Sequence, residues 1–389
     1  MIVESRLPAI LLGFVLAAST HLAQAEPSLG KNAVEAALQV TSEVDNDAAH
    51  SAFGDDLPLK EFSESSETLS LDPVVAPTEP RFAESEPETI TPPPTHSLHV
   101  MLDWYINPYH AALIVARERG LLDQGGLDVT FGAPADPNVP PKLVAAERAD
   151  LALMSQPALH RLVDRGLPLV RVGTLIPVPL SGILARDDRD INSLADLEGR
   201  TIGYAVEDEA QVLLDGLLEQ QRFGLEAVKL ERVDFSLSQA LANGDVDAVV
   251  GTLRPLDRRQ SAQQGVATRE FSIDDSVIPL HDALILVANR DGLSEHRRDI
   301  SHFLDALERA TAWMVKHPQA AWELIRTAEP ALDTPENNAA WPGVLRLLAL
   351  RPSLLQTQRY ARFEAYLKAR GLIERITPVS RFAVEIETP

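Results

Sequence analysis

The stretch from His99 to Gly120, HVMLDWYINPYHAALIVARERG, limits what this chain can fold into more than any other. Val100 to Leu102 is a short apolar run that reads as a strand. A polar and aromatic turn follows, Asp103-Trp104-Tyr105-Ile106-Asn107-Pro108. Ala111 to Ala116 then lead through Arg117-Glu118-Arg119 to Gly120. That pattern predicts a helix with basic residues in its last turn and a glycine where the chain leaves through the left-handed region. A strand feeding directly into a helix commits the chain to an α/β architecture. The turn between them carries indole, phenol, amide and imidazole groups. Open α/β sheets hold ligands at such places, beyond the carboxyl ends of strands and beside helix N-termini. Trp104 and Tyr105 serve equally well as caps on a core, and the residues alone leave both readings open.

The same alternation continues downstream and implies parallel sheets with helices on both faces. Strands are predicted at Leu127–Phe131, Asp150–Met154, Leu169–Leu175, Thr201–Tyr204, Val228–Val233 and Ala248–Gly251, with Ser181–Ala185 extended. Helices are predicted from Pro140 through Ala149 and over Pro157–Arg165, Glu209–Gln221 and Ser236–Ala242, with a capped turn at Asn192–Leu197. Asp282–Ala288 reads as a strand that returns to the first unit. From Ser294 onward apolar residues recur three and four apart, which predicts helices over Ile300–Lys316, Gln319–Ala328, Glu336–Ala349 and Leu354–Arg370. Trp313, Trp322 and Trp341, and the Tyr360-Phe363-Leu367 stripe, fall on the apolar faces and read as core.

The chain has 389 residues, more than one hydrophobic core usually supports, so two lobes are expected. Its net charge of −22 argues against nucleic acid as a partner, because phosphate binding needs clustered Lys and Arg. The acid excess is uneven: residues 26–96 hold 15 Asp or Glu against 3 Lys or Arg. That segment, with Pro92-Pro93-Pro94 near its end, reads as a disordered acidic extension that cannot bury enough apolar surface to offset chain entropy. Residues 1–25 read as a secretory signal, with Arg6 before an apolar run and Ala23-Gln24-Ala25 as the cleavage pattern. The chain has no cysteine, which removes disulfides, thiolate metal sites, a cysteine nucleophile and a lipidated cysteine anchor.

Several runs taken together resemble a known group. Asp103-Trp104-Tyr105-x-Asn107-Pro108-x-His110, Gly120-Leu121-Leu122, Pro134-Ala135-Asp136-Pro137, Gln156-Pro157, Gly166-Leu167-Pro168, Gly203-Tyr204 and Phe235-Ser236-Leu237 occur in the order found in the NMT1/THI5-like proteins. Within that group the chain resembles the solute-binding proteins that deliver thiamine-pyrimidine precursors to an ABC importer. The resemblance implies a type II periplasmic binding-protein fold, with mixed sheets flanked by helices in two lobes. Lobe one is expected at residues 97–181 plus 282–389 and lobe two at 182–281, closing on a ligand between them. It also implies a periplasmic protein whose partners are a small molecule and an ABC permease subunit, meeting the membrane only through that permease or an uncleaved signal. No cofactor or metal is expected.

An aminopyrimidine is flat and carries both donors and acceptors. It needs an aromatic face, for which Trp104 and Tyr204 are candidates, and amides that donate and accept, for which Asn107 and Gln156 are candidates. Asp136, Asp257 or Asp282 would take its amino groups, His110 would form a hydrogen-bonding wall, and Arg254 keeps the group's arginine. The chain departs from the group's pattern at Ala205-Val206-Glu207-Asp208-Glu209-Ala210, which is bulkier and more acidic than the usual Gly-rich loop, at Ser155, and at His281-Asp282-Ala283. These departures leave room for a different small amine, heterocycle or sulfonate. A pyrimidine synthase is a further alternative, but the group's synthases carry a cysteine-rich iron motif that a chain without cysteine cannot have. A sensor or scaffold built on the same lobe pair is the last.

Overall fold

The computed structural model describes residues 95–251, 261–273 and 276–389. The signal and nearly all of the acidic extension expected from the sequence lie outside these residues, as do Arg254 and Asp257.

Two five-stranded sheets organise the described chain. The first takes β1 (His96–Met101), β2 (Leu127–Gly132), β3 (Leu151–Met154), β4 (Leu169–Ile176) and β10 (Leu284–Asn289) in the order β2-β1-β3-β10-β4. The second takes β5 (Gly182–Arg186), β6 (Thr201–Tyr204), β7 (Lys229–Arg232), β8 (Ala248–Val250) and β9 (Thr268–Ser272) in the order β7-β6-β8-β5-β9. The two orders share a logic. In each sheet four strands run in the same direction, and the fourth position holds the one antiparallel strand, bordering a crossing between the sheets. In the first sheet that strand is β10, which pairs antiparallel with β3 and β4. In the second it is β5, antiparallel to β8 and β9. The alternation in the sequence predicts parallel sheets; the sheets are mixed, because hydrophobic period reports burial and carries no information about strand direction. The strand β9 had no counterpart among the predicted elements, since only part of each of its residues is buried.

Helix α1 (Ala111–Glu118) follows the first sheet's opening strand. Ala111 to Ala116 are all buried, so the helix is apolar all round and sits inside the fold. It packs against α7 (Leu293–Lys316) and α8 (Pro318–Ala328). Gly120 has φ +62, the left-handed exit that the sequence predicts, and opens the short α2 (Leu121–Gln124). Burying Leu113, Ile114 and Val115 contributes about 1.5–3 kcal/mol each, which fixes the end of β1 and the turn after it. Gly173 on β4 is required for a different reason: a Cβ there would meet Leu304 of α7 at 2.6 Å.

The remaining helices fall close to the predicted spans. The helix α3 (Pro140–Ala145) is shorter than expected and stops before Glu147, whose φ of +55 ends the run. Then come α4 (Gln156–Asp164), α5 (Glu207–Leu218), α6 (Leu237–Asn243), α9 (Pro335–Leu347) and α10 (Thr357–Ala369). Trp322 and Trp341 are buried and stack on each other, and Tyr360, Phe363 and Leu367 are fully buried. Trp313 is only half-buried, with the Arg119 guanidinium 4.0 Å over its ring. The described helices include none long and apolar enough to cross a membrane.

Candidate functional site

A cavity of about 820 Å³ lies where the two sheets meet, within the range of ligand sites. The turn after β1 forms one wall. Asn107 caps the short turn Pro108–His110, its Oδ1 accepting from the Tyr109 N–H at 2.9 Å and its amide donating to the Tyr105 carbonyl at 2.9 Å. His110 closes the motif: its Nδ1 accepts from the Asn107 N–H at 3.2 Å. That bond requires the ring proton to sit on Nε2, which donates to Asp103 Oδ1 at 2.9 Å. A buried neutral imidazole therefore aims the Asp103 carboxylate, which lines the cavity.

The aromatic groups of this turn reach the second sheet's side. Trp104 packs on the cluster of Leu237, Ala240, Leu241 and Val249. Its ring meets Phe235 edge-on, centroids 4.5 Å apart, and Tyr105 lies 4.6 Å from the same ring. Such pairs add about 0.5–1.5 kcal/mol beyond area burial. All three rings line the cavity.

On the far wall stands Glu209, in the first turn of α5. Ser181 on the crossing into β5 donates to Glu209 Oε1 at 2.6 Å. Glu209 is half-buried and lines the cavity. Burial pushes its carboxyl above the usual carboxylate range, and the charge of Asp103 adds to the shift, with Ser181 and Ser155 opposing it. Ser155, whose hydroxyl opposes the shift by bonding to the Glu209 carboxyl, lines the same cavity.

Trp104, Asn107, His110 and Tyr204 thus line the cavity, and three other expected residues, Asp136, Gln156 and Asp282, do not. Gln156 is fully buried and spent at both ends, its Oε1 accepting from the Asp282 N–H at 2.8 Å and its Nε2 donating to His160 Nε2 at 3.2 Å. Asp282 sits behind the cavity, where Thr174 and Tyr360 each donate to its Oδ2 at 2.9 Å and Arg359 pairs with Oδ1. Both expectations of ligand contact are corrected in this way: the fold has already satisfied these groups. Asp136 instead joins the two sides, accepting from Arg232 at 2.5 Å and from the Asn138 N–H at 2.8 Å. Burial raises the Asp136 carboxyl, but the bonds from Asn138 and Arg232 outweigh it and hold it below its ordinary value. Asn138 adds a bond from its amide to the Ala205 carbonyl at 2.8 Å. Arg254 and Asp257 lie outside the described residues.

Asp103, Tyr105, Glu209 and Phe235 are among the lining residues that sequence reasoning passed over. A signal existed for each. Asp103 and Tyr105 flank Trp104 in the ligand-side turn, Phe235 opens the Phe235-Ser236-Leu237 run, and Glu209 closes the unusually acidic segment after Tyr204. Among the described residues no group of three His, Asp or Glu is placed to hold a metal ion.

Comparison with known proteins adds to this geometry. The family described as NMT1/THI5 like matches residues 107–321. A Haemophilus influenzae protein assigned to thiamine biosynthesis is 41% identical over 294 residues, covering 75% of this chain and 92% of its own length. The formylaminopyrimidine-binding protein of Halalkalibacterium halodurans is 31% identical, covering 61% and 72%. A 4-amino-5-hydroxymethyl-2-methylpyrimidine phosphate synthase of Uromyces fabae is 25% identical, covering 62% and 74%. In fold, the alkanesulfonate-binding protein SsuA from Xanthomonas axonopodis pv. citri superposes with a TM-score of 0.58 at 15% identity, covering 75% of this chain and 99% of that one. The two mixed sheets with flanking helices are those of the periplasmic binding proteins.

Proposed function

This chain belongs to the NMT1/THI5-like family, and from that premise we propose that it is the solute-binding component of an ABC importer, closing on an aminopyrimidine precursor of thiamine. The observation that carries the reading is the convergence of groups from both sheets on one cavity. Trp104, Tyr105 and Phe235 offer aromatic faces, and the His110-supported carboxylate of Asp103 offers an acceptor for ring and amino N–H groups. A flat heterocycle needs both, a stacking surface for its ring and an ionised acceptor for its donor edge. Residues 1–25 would carry the protein to the periplasm, where an ABC permease subunit is its partner.

Titration of the purified protein with formylaminopyrimidine in a calorimeter tests the reading. The expected result is one-to-one binding, with apparent stability raised by about 2.7 kcal/mol at a hundredfold excess over Kd. Absence of both heat and thermal shift overturns it. A second reading, pyrimidine phosphate synthesis, draws on the synthase relative. It is less favoured because the resemblance implies a cysteine-rich iron motif in the group's synthases, and this chain contains no cysteine. Turnover in the presence of iron and pyridoxal phosphate would revive it.

A further inference from the structure

Resting on that reading, in which two lobes close on a guest, we propose that α10 is a strap across the hinge. It holds the second sheet's α5 behind the cavity, so that the lobes part only at the opposite lip. One end of the strap grips both crossings between the sheets. Arg359 donates to the Pro177 carbonyl at 2.6 Å on the crossing from β4 to β5, and pairs with Asp282 on the crossing from β9 to β10. Tyr360 donates to the same aspartate at 2.9 Å. At the other end Arg370 donates to Asp215 of α5 at 2.7 Å and pairs with Glu219 just past it. Between the two ends Phe363, Leu367 and Ile373 are buried in one cluster with Val212 of α5. Arg161 of α4 completes the contact, bonding to Asp208 and Gln211 of α5 and to the Leu372 carbonyl beyond α10.

Asp208, Gln211, Asp215 and Glu219 recur three and four apart, so they form one face of the helix, and arginines from the first sheet's side meet it. Gly216 stands on the same face. A Cβ there would collide with Ile278 of the second crossing and come within 2.6 Å of the Tyr366 hydroxyl of α10. Glycine weakens a helix interior, and here it admits the close approach of helix, strap and crossing. The opposite side of the cavity is held differently. Asp136 and Arg232 pair with 32% and 47% of their side chains exposed, Asn138 reaches the Ala205 carbonyl, and the half-buried Trp104 and Tyr105 rest on Phe235. Apart from Asp136 these residues line the cavity, whereas no residue of α10 does, and none of α5 past Glu209. An exposed ion pair is screened and exchanges its partner for water at little cost, while a buried apolar contact does not. The lip therefore yields first, and the strap fixes the pivot.

The chain has no cysteine, so paired cysteine substitutions carry nitroxide labels at the chosen sites alone. Thr130→Cys with Lys229→Cys spans the lip, from β2, which leads to Asp136, to β7, which ends at Arg232. Ala365→Cys with Glu226→Cys spans the strap, from α10 to a turn packed on α5. Double electron–electron resonance on the full protein, with and without formylaminopyrimidine, reads both distances. The expected result is one narrow, unchanged distance for the strap pair. The lip pair should show a broader or double distribution that the pyrimidine shifts to its short end. A strap pair as broad as the lip pair, or one that moves as far with ligand, overturns the inference, as does a lip pair that is narrow and unmoved in both states. A lip pair with two distances that ignores the pyrimidine upholds the strap and counts against the proposed function. Gly216→Leu, checked by its melting curve, should lengthen the strap distance, and an unchanged distance in the folded variant overturns the inference. If that variant does not fold, the two label pairs without it decide.

Discussion

Two aspartates of the same sheet lead opposite lives. Asp282, at the return crossing into β10, is nearly sealed from solvent, and Thr174, Tyr360 and Arg359 occupy its oxygens. Asp103, at the end of β1, holds His110 with one oxygen and opens onto the cavity, its side chain 27% exposed. The surroundings of Asp282 are dense with donors because the C-terminal segment folds over it. Arg171, fully buried on β4, donates to Thr174 and to the carbonyls of Pro352, Ser353, Leu354 and Val384, tying that segment to the sheet. The lesson is that a carboxylate recognises ligand only where the fold leaves part of it unsatisfied. Residue type alone does not separate the two.

The comparison can be broken by mutation, starting with the largest effect. Asp282→Ala leaves Arg359 buried without its counter-charge and should destabilise the protein by about 3–5 kcal/mol, read as a lowered urea midpoint. A loss below about 1 kcal/mol would mean that this network is not structural. Asp103→Asn should do the reverse: the fold melts within about 1 kcal/mol of wild type, because Asn Oδ1 still accepts from His110. Affinity for an aminopyrimidine should fall about 10- to 100-fold, the worth of a hydrogen bond to a charged group. Unchanged affinity in calorimetry would put Asp103 outside the site.

Acid sharpens the contrast on the structural side. Burial pushes the His281 imidazole down to about 4, with the Pro279 carbonyl and Asp282 opposing, and burial also lowers His160 despite its Glu364 partner. In the unfolded chain these rings take up protons near pH 6.5, and in the folded protein His281 does so only near 4. Between those values the unfolded state binds more protons, so stability falls as pH drops from about 6.5 to about 4. His281→Asn should flatten part of that slope in thermal melts across this range. The smallest effect belongs to Arg232→Ala. It breaks a half-exposed ion pair with Asp136 and should cost no more than about 1 kcal/mol of stability, a limit that denaturant titration can check.

Much of the fold was legible. Thr201–Tyr204 forms a strand over the residues its pattern predicts, and Ala111–Glu118 and Gln156–Asp164 are helices closed by glycines at positive φ, Gly120 and Gly166. The site was legible only in part. Trp104, Asn107, His110 and Tyr204 were visible because they sit in or beside a strand-to-helix turn, where an α/β sheet holds its ligand. Gln156 and Asp282 have the right chemistry, but their partners come from His160, Thr174, Arg359 and Tyr360, as many as 126 residues away for the bond between the two.

What the sequence determined by itself was local: where strands and helices start and stop, which faces are apolar, and that one turn gathers polar and aromatic groups. Those properties depend on neighbours within one or two turns of chain. Strand direction in the mixed sheets, the meeting of Trp104 with Phe235, and the placing of Asp103 and Glu209 on one cavity were decided by the tertiary structure. Each depends on contacts between segments far apart in the chain, and whether a polar group is free or satisfied depends on every neighbour that folding brings to it.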